Sequence, residues 1–186
     1  MAGLITLAEY KIYKGISSDT KDTYYESAIL EVSDWIRSYC GRQFNNRTSI
    51  TEYFRGTESF YYLKEYPNTS ILSVNTSTDG QNTQTSLDDG VDYFIEPETG
   101  LLETVDDTYF SSISKFRSLE VIYTGGYLTL PEDLKLATMN LVAYYAEKEY
   151  KPRLSTGVHN KDNINENNEL PYYIQQTLDI YRNLNL

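Results

Sequence analysis

This chain of 186 residues has little of what catalysts, metal proteins and membrane proteins usually depend on. It contains one cysteine, one histidine and one tryptophan. A single cysteine excludes an internal disulfide and suits a reducing compartment. With a single histidine, any Ser–His or Cys–His relay must pass through His159. His159 sits in a polar, asparagine-rich stretch with no partner pattern around it, and reads as an exposed bystander. Cys40 falls on an apolar helix face and reads as a small buried hydrophobe rather than a nucleophile.

Phosphate and metal signatures are missing too. There is no CxxC, no HExxH and no GxGxxG, and no GK[ST] follows Gly125-Gly126. Asp88-Asp89, Asp106-Asp107 and Glu132-Asp133 are adjacent carboxylates. Neighbours in an extended chain point to opposite faces, so turns and a helix start explain them better than an acid/base site. Residues 162–167 lack the glycine of a calcium loop and place Ile164 at a ligand position. The expectation is a non-enzyme with no catalytic, metal or cofactor-binding residues.

Positive charge is scarce: 16 Lys and Arg stand against 27 Asp and Glu, a net charge of −11. That disfavours adhesion to phosphate backbones and to anionic membrane surfaces. No apolar run approaches the roughly 18 residues of a spanning helix, and the N-terminal stretch lacks the pattern of a signal peptide. The sequons at Asn46, Asn68 and Asn75 then read as chance.

What the chain has in abundance is tyrosine, 19 residues. Tyrosine buries a large ring and keeps a polar tip, so it is common at interfaces. Codon bias in an AT-rich genome is the alternative explanation.

The patterning is helical at both ends and strand-like between. Thr6 and Glu9 have capping-box spacing, and Gly15 is placed to end the first helix. A second helix is expected from Asp19 or Thr20 to Gly41. Its bundle core is Tyr25, Ala28, Ile29, Val32, Trp35, Ile36 and Tyr39, with Cys40, at i, i+3, i+4, i+7 spacing. Glu26, Glu31, Asp34 and Arg37 lie largely off that face.

From 49 to 125, short apolar runs alternate with turn residues. Strands are expected at 50–54, 60–63, 71–75, 93–96, 101–104 and 119–124. Pro97-Glu98-Thr99-Gly100 suits a type I hairpin turn. Residues 76–89 read as a polar loop. Pro131 opens a third helix with a stripe of Leu134, Ala137, Leu141 and Tyr145, beside Thr138; Pro152 is expected to stop it. Pro171 opens a fourth helix, with Ile174, Leu178 and Tyr181 at helical spacing. The fold class is α+β: a small helical bundle from both ends of the chain, with an antiparallel β-rich insert between helices two and three. The expected divisions are 1–47, 48–128 and 129–186, with a flexible loop at 152–169, all one structural unit.

Several segments in order resemble the head–tail connector family of tailed phages, the head-completion or adaptor proteins. They are Leu4-Ile5-Thr6-Leu7-Ala8-Glu9; Trp35-Ile36-x-x-Tyr39-Cys40-Gly41-Arg42-x-Phe44; Asp92-Tyr93-Phe94-Ile95 with Glu98-Thr99-Gly100; Val121-Ile122-Tyr123-Thr124-Gly125-Gly126-Tyr127; and Leu130-Pro131. The ending Leu170-Pro171…Leu178…Tyr181-Arg182 matches as well. The family usually shows Y-T-A-G-Y, so Gly125 is a departure.

The resemblance implies a structural virion protein at the head–tail junction, assembled in the host cytoplasm. It implies a homo-oligomeric ring, twelve-fold like the portal above it, with another neck or tail protein below. Genomic DNA would pass through without specific binding, and no membrane would be involved. The last helix is then a candidate portal grip through Tyr172, Tyr173, Ile174, Leu178 and Tyr181; equally, Ile174 and Leu178 complete the bundle core. A carbohydrate-binding surface module is the main alternative, on the strength of the tyrosine-rich strands. A helix-turn-helix regulator is opposed by the acidic balance.

Overall fold

The computed structural model describes residues 2–67, 69–79, 84–112, 115–154 and 171–182. Local sequence sets the first helix, α1 (Leu7–Lys14). The Thr6 hydroxyl accepts the Glu9 N–H at 3.2 Å, and the Glu9 carboxylate accepts the Thr6 N–H at 2.7 Å. These two bonds satisfy donors that a helix start leaves free. α1 and α2 (Asp22–Cys40) each end on a left-handed glycine, Gly15 at φ 65° and Gly41 at φ 69°. Any other residue there would meet the steric cost of that conformation.

α2 starts at Asp22 rather than at 19 or 20. Lys11 Nζ draws in the carboxylates of Asp19 at 2.5 Å and Asp22 at 2.9 Å. A turn closed by Asp22 N–H onto the Asp19 carbonyl occupies the residues between. α3 (Glu132–Leu154) and α4 (Tyr172–Ile180) follow late in the chain. The backbone of α3 stays helical two residues past Pro152, so that proline does not end the helix. His159 and most of the expected 152–169 loop lie outside the described residues.

The four helices pack together as one compact unit, residues 2–41 and 130–182. Ile29, Val32, Ile36 and Cys40 of α2, Leu134, Ala137, Leu141 and Val142 of α3, and Ile174 and Leu178 of α4 are buried there. Arg37, expected off the apolar face, is also buried. Its guanidinium bonds Asp34 at 2.8 Å and the Ala2 carbonyl at 2.6 Å, fastening the N-terminal residues to α2. Ser33 assists by accepting the Leu4 N–H at 2.9 Å.

Residues 42–129 form a second compact unit. It contains β1 (Arg47–Phe54), β2 (Phe60–Tyr62), β3 (Ser70–Ser77), β4 (Gln84–Leu87), β5 (Tyr93–Glu96), β6 (Leu101–Thr104) and β7 (Leu119–Gly125). One antiparallel sheet has the order β1-β7-β3-β4; a smaller one has β2-β6-β5. β7 is central, and alternate residues Leu119, Val121 and Tyr123 enter the core with Ile50, Leu63, Val74, Tyr93, Leu102 and Phe110.

β4 lies inside the segment expected to be a loop. Its polar residues gave no alternation to read, and it is an edge strand held by backbone pairing to β3. The break between units falls after Gly41 rather than at 47. The Glu65 carboxylate accepts the N–H groups of Gln43 at 2.7 Å and Phe44 at 3.2 Å, tying that stretch to the β unit.

Candidate assembly surfaces

The expected bundle core divides in two. Ile29, Val32 and Ile36 are buried, whereas Tyr25, Ala28, Trp35 and Tyr39 are half-exposed. Tyr39 is held in place: its O–H donates to Asp179 of α4 at 2.7 Å, and its ring stacks on Trp35 at 5.2 Å between centroids. The Asp179 carboxylate beside it pushes the Tyr39 phenol above its ordinary range.

Ala28, Val32 and Trp35 line a hollow of about 370 Å³ with Tyr24, Ser27 and Glu31 of α2 and Tyr145 of α3. Tyr145 continues the stripe that Leu134, Thr138 and Leu141 bury, yet it is 41% exposed. α4 packs against α2 and α3 beside Cys40 and Asp133. The Leu178 carbonyl meets the Cys40 thiol at 3.6 Å, and the Tyr181 O–H reaches Asp133 at 2.5 Å. The groove is thus filled near those residues and open near Trp35 and Tyr145. Sequence reasoning found Ala28, Val32 and Trp35 from periodicity and assigned them to the core, where Val32 is buried, and it placed Tyr145 on the α3 stripe. Tyr24, Ser27 and Glu31 were missed, since nothing in spacing alone marks a groove rim.

The five candidate portal contacts separate by side of α4. Ile174 and Leu178 are 0% exposed and Tyr181 is buried with them. In this conformation they complete the bundle core and are not free to touch a partner. Tyr172 (72% exposed) and Tyr173 (57%) point outward, together with Ile180.

Other apolar side chains of the helical unit are exposed as well. Ile12 at the end of α1 is 82% exposed, and Tyr13 and Leu136 are exposed to a lesser degree. The Tyr13 O–H donates to Asn140 of α3 at 2.7 Å, which fixes the ring across the two helices. Lys135 joins Glu9 at 3.4 Å and Glu132 at 3.1 Å, and those carboxylates raise its ammonium above the ordinary value.

The β unit has its own aromatic hollow of about 510 Å³, lined by Thr51, Glu52, Tyr53, Phe54, Tyr61, Lys64 and Phe116. Burial raises the Glu52 carboxyl above its ordinary range, partly offset by hydrogen bonds from Tyr123 and from the Lys64 backbone. Burial and the neighbouring Glu52 push the Tyr123 phenol up as well. The Arg117 guanidinium lies over the Tyr53 ring at 4.7 Å, so that ring face is already occupied.

Elsewhere in the β unit, Arg42 is buried among the rings of Tyr66 (3.8 Å), Phe44 (5.2 Å) and Tyr127 (5.6 Å) and donates to the Tyr66 carbonyl. At Gly125 the backbones of β7 and of Glu65 come so close that any Cβ would collide with the Glu65 carbonyl oxygen. Glycine is therefore the residue this contact accommodates.

Among the described residues no group of three His, Cys, Asp or Glu side chains is placed to hold a metal ion, and no described helix is long and apolar enough to cross a membrane.

Comparison with known proteins sets these surfaces in context. The head completion protein of Escherichia phage T5 is 23% identical over 180 residues, covering 96% of this chain and 98% of the relative. Among solved structures, a chain from the neck of an empty gene transfer agent particle, computed with C6 symmetry, matches with a TM-score of 0.62 at 14% identity. That match covers 98% of this chain and 91% of the other. A chain from the neck of the native particle, computed with C12 symmetry, matches with a TM-score of 0.50 at 16% identity, covering 97% and 89%. These likenesses establish a shared fold. Residues 3–184 match the family model described as head completion protein, and the chain therefore belongs to the head completion protein family, which is structural rather than enzymatic.

Proposed function

We propose that this chain sits in the virion neck as one subunit of a ring below the portal. The ring extends the DNA channel, joins the head to the neck or tail, and holds twelve copies to match the portal. The supporting observation is the family match over residues 3–184, joined by a fold shared with gene transfer agent neck chains in symmetric assemblies. The net charge of −11 suits a conduit, because clustered lysine and arginine would hold the sliding phosphates.

The portal contact is assigned to the outward side of α4, through Tyr172 and Tyr173. Ile174, Leu178 and Tyr181 would join it only if α4 left the bundle. Two exposed tyrosines flanking a buried anchor are well suited to an interface, since each adds ring area at low entropic cost. The sugar-binding alternative is weakened because Arg117 covers the Tyr53 ring face that a sugar would stack on.

Co-sedimentation with the purified portal ring of the same phage tests the proposal. One copy per portal subunit is expected, with binding lost on truncation after Glu169. No association between folded partners would place the chain lower in the neck, or elsewhere.

A further inference from the structure

We infer that the outward face of the β2-β6-β5 sheet is the docking surface for a different neck protein, one that presents an arginine flanked by apolar side chains. The inference deepens the neck reading above, on which it rests, by naming the chemistry of one partner.

Strand register builds the face. Glu103 of β6 stands opposite Phe60 of β2 on one side and Phe94 of β5 on the other. Directly opposed residues share a face of the sheet, so these three side chains form one row. The next row on the same face, two residues along, is Tyr62, Leu101 and Glu96. The row between them, Tyr61, Leu102 and Ile95, turns the other way and packs into the core. The outward rows stay open to solvent. Phe60 is 49% exposed and Phe94 53%; Glu96 is exposed too, and the other three are half-buried.

Two features select the occupant. The first is the rings. Phenylalanine lacks the polar tip that lets a tyrosine sit half in water. Phe60 meets Tyr62 edge-on at 6.1 Å between centroids, and with Leu101 and Phe94 they make a contiguous apolar patch of the kind that marks an interaction site.

The second is charge. Glu103 stands between the two phenylalanines, one strand spacing of about 5 Å from each. Glu96 ends the second row. Neither carboxylate has an ion-pair partner among the described residues. A guanidinium answers both features, because its plane stacks on a ring while its fork pairs with a carboxylate. Apolar neighbours of that arginine would cover Leu101 and Tyr62. The same carboxylates repel phosphate backbones and anionic lipid. A second copy of this chain, at a net charge of −11, is opposed on the same ground.

A photo-crosslinking residue in place of Phe94 gives the direct test in assembled particles. The expected product joins this chain to a different virion protein, at a peptide carrying an arginine beside apolar residues. A product between two copies of this chain, a product at a peptide without arginine, or no product in necks of normal composition would overturn the inference and leave the neck reading standing. Absence of the chain from assembled necks would overturn both.

Glu103→Lys is the second variant. Its side chain lies on the solvent side of the sheet, so the thermal midpoint should hold, while the crosslinked partner's content in necks falls at least about tenfold. Unchanged partner content would also overturn the inference.

Discussion

The two compact units differ in what their interiors hold. The β unit fixes charge inside, although it keeps an aromatic hollow of its own and leaves Phe60, Phe94, Tyr109 and Phe116 exposed. Its buried acid, Glu65, is consumed by the N–H groups of Gln43 and Phe44, and its buried Arg42 is enclosed by three rings. Buried charge is tolerable only with such partners. The helical unit stops short. Its apolar stripe outruns its own burial, leaving Trp35 and Tyr145 at an open groove and Ile12, Tyr172 and Tyr173 in solvent. A family whose members are assembly parts needs both kinds of region: one that fixes a shape and one that other chains complete. Periodicity that continues past the buried part of a helix is the sign of the second kind.

Glu65→Ala should give the largest loss. It strands the buried Phe44 N–H and the partly buried Gln43 N–H at about 1–3 kcal/mol each, or roughly 2–6 kcal/mol together. Urea unfolding measures it, and a loss below about 1 kcal/mol would contradict the role given to the buried carboxylate. Gly125→Ala belongs to the same region. The added methyl group should destabilise the chain by about 1–3 kcal/mol or more, because the Glu65 backbone must move.

A matched pair in the helical unit sharpens the comparison. Leu178→Ala empties a fully buried site and should cost about 2–5 kcal/mol. Ala28→Ser, at the open groove, should stay within about 0.5 kcal/mol, as surface changes do. Equal costs would mean that the groove is core after all.

A smaller effect concerns pH. Burial raises the Glu52 carboxyl above its ordinary value of 4.5. The folded chain therefore takes up this proton before the unfolded chain does as pH falls. Glu52 adds stability at low pH and loses it as pH rises from 4.5 through the raised folded value. Glu52→Gln should remove that slope and raise the thermal midpoint at neutral pH relative to the parent; an unchanged slope would contradict the burial argument. A small loss is expected for Thr6→Ala, about 1 kcal/mol from the α1 cap, seen as a lower thermal midpoint.

Much of the fold was legible because local chemistry decided it. Thr6, Glu9, Gly15 and Gly41 mark helix ends whose caps are local bonds. The 93–104 hairpin follows from two short runs around a Pro-to-Gly turn. β4 was not legible, since a polar edge strand is made by its partner's backbone and not by its own side chains. The burial of Arg37 was equally hidden, because the Ala2 carbonyl that receives it is 35 residues away. For the candidate surfaces, spacing found the stripes but not their limits. Whether Trp35 or Ile174 is covered depends on where α4 lies along the groove, a tertiary fact.

We propose above all that this chain is a ring subunit beneath the portal. An asymmetric cryo-EM reconstruction of the intact neck tests it most directly. Twelve copies are expected to encircle the channel under the portal, each with Tyr172 and Tyr173 of α4 turned toward it. A neck in which this chain is missing from that layer, or in which α4 faces away from the portal, would contradict it.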